Sequence, residues 1–160
     1  MNKTTQLKKL LLQRKALPCP GVYDALSARM VEYCGFQACQ ISGFGVSASS
    51  LGMTDASFTS LEEIVRITSN IVRAVDIPVM TDADTGYGNA VNVWWTTKRL
   101  EETGAAGMNL EDQCFPKRCG HMAGKQLISL GEMVGKIRAA VDAKRDPDFV
   151  INARTDAAYV

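Results

Sequence analysis

Apolar positions along the chain fall into two alternating patterns, one spaced like a helix face and one in short continuous runs. Over residues 6–15, Leu7, Leu10, Leu11 and Leu12 are interleaved with lysines and an arginine, which predicts an amphipathic helix. The apolar piece at 16–19, ended by Pro20 and Gly21, predicts a first strand. Asp24 is placed to cap a helix over 25–33 that stops near Gly35. A second strand is expected at 38–42, followed by a long polar loop over 43–57, rich in Gly and Ser. Ser60 with Glu63 has the spacing of a capping box, opening a helix through Ala74. Residues 77–80 enter a third strand that runs into Thr81, Asp82, Ala83 and Asp84. Asn89 can cap a helix to Thr103, closed by Gly104. A fourth strand is expected at 106–111, then a loop over 112–127. Ser129 with Glu132 reads as a second capping box, starting a helix to about Lys144, and a fifth strand lies within 148–154.

The strand runs are apolar on both faces, which suits a parallel sheet covered by helices. No repeat and no low-complexity linker marks an internal boundary, so residues 1–160 read as a single α/β domain. Polar residues recur where the strands end: Ser42, then Asp82 and Asp84, then Glu111 and Asp112, then Arg154 and Asp156. Functional groups gather at strand ends in both doubly wound sheets and barrels, and repetition over nearly every strand favours a barrel mouth.

Composition narrows the classes of function. The chain has 160 residues, 46% of them hydrophobic, and 18 basic against 17 acidic residues leave a net charge of +1. That balance argues against a nucleic-acid or polybasic membrane partner. Charges break every apolar run well short of the ~18 residues a membrane helix needs, and the N-terminus lacks a secretory pattern. Five cysteines, an odd number without zinc-site spacing, point to a reduced, cytoplasmic protein.

Asp82 and Asp84 lie two apart at a strand end, so on an extended chain both carboxylates face one point. Two converging anions repel unless a cation lies between them, and oxygen donors suit Mg²⁺ or Mn²⁺. A helix-capping Asp with a solvated partner is the equal alternative. Glu111, on the neighbouring strand, is either a third metal contact or a holder of metal-bound water. Asp55, in the glycine-rich loop, is a fourth acidic group or a turn residue. Within Lys117, Arg118, Cys119, Gly120 and His121 a thiol is flanked by two cations and the chain's one imidazole, which should depress its pKa. The alternative is a basic surface loop around a buried cysteine. Gly120 permits close backbone approach, Arg154 can fork onto a carboxylate, and Ser42 with Gly43 can offer a hydroxyl and N–H groups to an anion. Ordinary strand-end hydrogen bonding explains the latter two equally. Cys19, Cys34, Cys39, Cys114, Trp94 and Trp95 read as packing residues.

Five segments together resemble the isocitrate lyase and phosphoenolpyruvate mutase superfamily: SGFGVSASSLGMTD (42–55), TDADTGYG (81–88), NLEDQ (109–113), PKRCGHMAGK (116–125) and INARTDA (151–157). The resemblance covers the chain from Leu17 onward and is most specific in KRCGH. It implies a (β/α)8 barrel of which this chain carries about the first five strands. It implies Mg²⁺ at Asp82 and Asp84, with Asp55 and Glu111 reaching it mostly through water. Ser42, Gly43 and Phe44 match the substrate-carboxylate pocket, Arg154 a substrate-contacting arginine, and Cys119 the catalytic cysteine on a mobile loop. The implied reaction is carbon–carbon cleavage of a 2-hydroxy dicarboxylate or tricarboxylate. It yields a 2-oxo acid and an aci-enolate protonated by Cys119, with Lys117, Arg118 and His121 supplying positive field.

The short form is most similar to the methylisocitrate and 2,3-dimethylmalate lyases. After His121 the chain reads Met-Ala-Gly-Lys, closer to the alkylmalate type. An oxaloacetate hydrolase, a phosphonopyruvate or phosphoenolpyruvate mutase-type enzyme and a catalytically silent partial barrel are the alternatives. The full-length form is expected to be a homo-oligomer, dimer or tetramer.

Overall fold

The structure, a computed structural model, describes residues 1–13 and 15–160, and of Tyr159 only the backbone. Five parallel strands, β1 (Gly21–Val22), β2 (Cys39–Ile41), β3 (Val79–Asp82), β4 (Gly107–Glu111) and β5 (Val150–Arg154), pair in chain order. Parallel neighbours need a crossover, and helices supply it: α2 (Ala25–Tyr33), α3 (Gly43–Leu51) with α4 (Leu61–Ala74), α5 (Ala90–Glu102) and α6 (Leu130–Ala143). The helices α2, α4, α5 and α6 pack successively against one another. Strictly sequential strand order is the winding of a barrel wall; a doubly wound sheet reverses direction partway.

Local chemistry accounts for most of the element ends. Asp24, Ser60 and Asn89 each accept a backbone N–H from the first turn of their helices, and all three sit in reciprocal capping boxes. The Ser129 hydroxyl accepts the Glu132 N–H at 3.2 Å, but the side chain of Glu132 does not return the bond, so the expected second box is a single cap. The segment expected as loop over 43–57 holds α3. Its small residues hide a helical period, yet Ser42 caps its start and Gly52, in the left-handed region, closes it.

The first strand is Gly21–Val22 rather than 16–19. Leu17 and Cys19 instead pack beneath the sheet with Leu7, Ala38, Met80 and Ala106. Leu7 belongs to α1 (Lys3–Leu12), which starts and ends earlier than the helix expected over 6–15; residue 14 of that expectation lies outside the described residues. Lys3 of α1 donates to the carbonyls of Val72 and Val75 at 3.1 and 2.6 Å, a cation at the C-terminal end of α4.

The core lies between sheet and helices, with Ile41, Ile71, Leu100, Met108, Leu110 and Phe149 fully buried. Trp94 and Trp95 are not part of it: they are 40% and 52% exposed, facing Lys98 and Arg99. Cys34 is exposed as well, whereas Cys39 and Cys119 are buried; all five cysteines are free. Among the described residues no helix is long and apolar enough to cross a membrane.

Candidate active site

Residues at the C-terminal strand ends build one cleft of about 620 Å³. Its lining includes Ser42, Gly43 and Phe44 after β2, Asp82 on β3, Arg154 on β5, Asp55, and Cys119, Gly120 and His121 from the loop after β4. Cys19, Gly21 and Gln40 line it as well. The acidic groups converge, but not as an extended chain would bring them together. β3 ends at Asp82, and Asp84 sits in the left-handed region at φ 53°, its N–H donating to Asp82 Oδ1 at 2.8 Å. The turn, not strand alternation, brings Asp84 round. Neither residue caps a helix.

At the centre of these carboxylates lies the ammonium of Lys117, 3.1 Å from Asp55 Oδ2, 3.4 Å from Glu111 Oε1 and 3.5 Å from Asp84 Oδ2. Lys117 is buried, and its backbone N–H donates to Ser57 Oγ at 3.2 Å. The expectation that Lys117 and Arg118 both flank the thiol is therefore corrected. Lys117 is committed to the acid cluster. Arg118 is exposed and donates to the Ala123 carbonyl at 3.4 Å, outside the cleft. Coulomb attraction to several buried anions outweighs a place beside one thiol.

Burial raises the Glu111 carboxyl to about 7; Lys117 and Arg154 oppose the rise, and Asp82 and Asp84 add to it. Asp84 is likewise raised, first by burial, with Lys117 opposing. Burial alone would lower the Lys117 ammonium, but Asp82, Asp84, Glu111 and Asp55 hold it above its ordinary value. Four carboxylates, Asp55, Asp82, Asp84 and Glu111, thus act on one buried ammonium.

Glycine fits where backbone meets carboxylate. The Gly43 N–H donates to Asp82 Oδ2 at 3.0 Å, and a Cβ on Gly43 would stand 2.3 Å from that oxygen. A Cβ on Gly120 would stand 2.6 Å from an Arg154 guanidinium nitrogen. Arg154 itself bridges Glu111 at 3.2 Å and Asp156 at 3.1 Å. The Ser42 hydroxyl accepts the Gly45 N–H at 3.0 Å, so it serves as the cap of α3. Phe44 is half exposed and meets His121 edge to face, with ring centroids 6.4 Å apart; His121 is exposed.

Several participants carry no individual chemical signal in the sequence, although Gln113 and Asp156 lie within NLEDQ and INARTDA. Lys136, buried on α6, donates to the Thr85 carbonyl at 2.9 Å and so supports the turn of Asp84 from behind. Asp156 and Gln113 form a buried link between the segment after β5 and the loop after β4. Lys136 occupies an ordinary amphipathic helix position, and Gln113 directly follows the acidic pair without a motif of its own.

Among the described residues, no three His, Cys, Asp or Glu side chains form a direct metal cage. Mg²⁺ is commonly held by one or two carboxylates with water completing its shell, and a surplus of converging carboxylates around one buried cation suits that mode.

A family profile described as phosphoenolpyruvate phosphomutase matches residues 7–160. The chain is 47% identical to 2,3-dimethylmalate lyase of Eubacterium barkeri, over 98% of its own length and 54% of that protein's. It is 43% identical to 2-methylisocitrate lyase of Shewanella oneidensis, over 97% and 53%. Among solved structures, oxaloacetate acetylhydrolase in complex with the inhibitor 3,3-difluorooxalacetate superposes with a TM-score of 0.92 at 39% identity, covering 99% of this chain and 55% of that one. Phosphonopyruvate hydrolase in complex with oxalate and Mg²⁺ superposes with a TM-score of 0.90 at 35% identity, covering 98% and 53%. The chain spans about half the length of the curated relatives it matches.

Proposed function

From the premise that the chain belongs to the phosphoenolpyruvate mutase and isocitrate lyase superfamily, we propose that it works in a Mg²⁺-dependent carbon–carbon lyase. The substrate is a 2-hydroxy dicarboxylate or tricarboxylate of the 2-alkylmalate or methylisocitrate type. The observation that carries this reading is a single cleft lined by Asp55, Asp82, Arg154 and Cys119, where Asp55 shares the Lys117 ammonium with Asp84 and Glu111 behind it. Relatives named for dimethylmalate and methylisocitrate cleavage support the substrate class.

Asp82 and Asp84 would hold the metal, Mg²⁺ or Mn²⁺, with Asp55 and Glu111 holding its water. Bound there, it would polarise the substrate hydroxyl and adjacent carboxylate as a Lewis acid. Arg154 keeps part of its guanidinium facing the cleft and binds a substrate carboxylate. Ser42, Gly43 and Phe44 form the opposite wall, with Gly120 leaving room for close backbone approach. The substrate hydroxyl gives its proton, through water, to a carboxylate of the acid cluster, and its oxygen becomes the carbonyl of the 2-oxo acid as the carbon–carbon bond breaks. The electron pair of that bond stays on the departing carboxylate-bearing carbon. The Cys119 thiol gives that carbon a proton and is left as thiolate, stabilised by His121 and Arg154 nearby in the cleft. The same reading places the enzyme in the cytoplasm, as a homo-oligomer, consistent with five free thiols.

Product analysis on a substrate panel tests this. Pyruvate or another 2-oxo acid from a 2-alkylmalate or methylisocitrate supports it. Oxalate plus acetate from oxaloacetate, without alkylmalate cleavage, replaces it with the oxaloacetate hydrolase reading. No Mg²⁺-dependent turnover of any member of the panel leaves the silent partial barrel.

A further inference from the structure

The loop that carries Cys119 is pinched at its base: the Cys114 N–H donates to the Gln126 carbonyl at 2.7 Å, the Ile128 N–H to the Asp112 carbonyl at 2.9 Å, and Gln113 faces Leu127 in an antiparallel bridge. Gln113 is buried, 1% exposed, and its side-chain amide reaches three separate elements. Its nitrogen donates to Asp156 Oδ2 at 2.9 Å and to Glu111 Oε1 at 3.3 Å. Its oxygen accepts the backbone N–H of Arg118, the residue before Cys119, at 3.0 Å. Two acceptors on one side and a donor on the other call for a neutral group that both donates twice and accepts. A carboxylate would present oxygen to two carboxylates, and an apolar side chain would leave the Arg118 N–H and both acids without this partner.

We propose that Gln113 is the positioning residue that holds the Cys119 loop over the cleft, tying its closure to the acid cluster through Glu111 and to the segment after β5 through Asp156. Replacing the amide releases the loop at Arg118 while the sheet beneath it stays intact. Cys119 then spends more time open to solvent.

The test is iodoacetamide labelling read peptide by peptide by mass spectrometry, with exposed Cys34 as reference and buried Cys39 as reporter of global opening. In Gln113→Glu and Gln113→Leu, Cys119 is expected to label at least tenfold faster relative to Cys34, with Cys39 as protected as in the parent chain. Arg118→Pro, which deletes the N–H while leaving the buried amide in place, reaches the same bond from the loop side and should give the same contrast should the Gln113 variants fail to fold. Unchanged Cys119 labelling in a folded variant overturns the proposal, as does a matching rise at Cys39. Because labelling needs no substrate, this outcome is independent of the proposed lyase activity. Where that activity is found, kcat should fall in Gln113→Glu with little change in KM, since only the importance of Gln113 for turnover rests on that reading.

Discussion

The Lys117 ammonium lies 3.1 Å from the Asp55 carboxylate, joining the Cys119 loop to the segment after α3 inside a buried cluster of acids. Removing that cation leaves Asp55, Asp84 and Glu111 facing one another without their shared partner. Lys117→Ala is expected to destabilise the metal-free chain by about 3–5 kcal/mol, the usual cost of stranding a buried charge. Millimolar Mg²⁺ should recover part of that loss. Denaturant unfolding with and without MgCl₂ checks both; an unaltered midpoint would show the cluster to be solvated.

Metal and thiol should separate by mutation. Cys119→Ser is expected to lower turnover by about 10²–10⁴-fold, the range for losing a general acid, while leaving Mg²⁺ affinity as it was. Asp82→Ala should lower both. Calorimetric Mg²⁺ titration beside a turnover assay reads the two effects, and parental turnover in Cys119→Ser would remove the thiol from the mechanism.

Gly43→Ala tests the close approach to Asp82. The added Cβ would sit 2.3 Å from Asp82 Oδ2 and 3.2 Å from Asp55 Oδ2, so both carboxylates must turn aside. They are side-chain ends and can move, which keeps the stability cost small, within about 1 kcal/mol. The expected loss is in metal affinity, about 10–100-fold, as for other disturbed ligand supports. Thermal melting and Mg²⁺ titration together distinguish this from general unfolding.

Stability of the metal-free chain should fall as pH rises from about 4.5 to about 7. Burial raises the Glu111 carboxyl to about 7 in the folded chain, so over that window the folded state holds a proton that the unfolded state has lost. Asp84 is displaced in the same direction. The carboxyls of Glu62, Glu63 and Asp148 are displaced downward, and their stabilisation is complete above the ordinary carboxylate range. At about 1.4 kcal/mol per pH unit of displacement, Glu111 accounts for a fall on the order of 3–4 kcal/mol, levelling off above pH 7 where both states are ionised. Melting temperatures across this range in EDTA measure it. Added Mg²⁺ favours the ionised carboxylates and should flatten the slope; stability that instead climbs toward pH 7 in EDTA would contradict the assignment.

Much of the architecture follows from interactions within one helical turn. Asp24, Ser60 and Asn89 bond to N–H groups two or three residues on, so their helices were legible from spacing alone. Strands β3, β4 and β5 were legible because runs apolar on both faces suit a covered parallel sheet. The helix α3 was not, because Gly, Ser and Ala carry too little hydrophobic contrast to show a period. Nor was the two-residue β1, since the more apolar Leu17 and Cys19 pack under the sheet instead.

The acidic character of the site was likewise written in the chain: carboxylates at consecutive strand ends must meet wherever the strands become neighbours. Which cation meets them was not. Lys117 stands next to Cys119 in sequence, yet folding sends its ammonium among Asp55, Asp84 and Glu111 and turns Arg118 outward. Gln113 and Lys136 gain their partners only when the loop and α6 close on the sheet. Helices with strong caps, the parallel strands and the sign of the charge at their ends depend on neighbours along the chain, and are legible there. Tertiary structure alone decided which charges pair and which hydrogen bonds hold the thiol loop, because those energies act through space between residues that the chain keeps far apart.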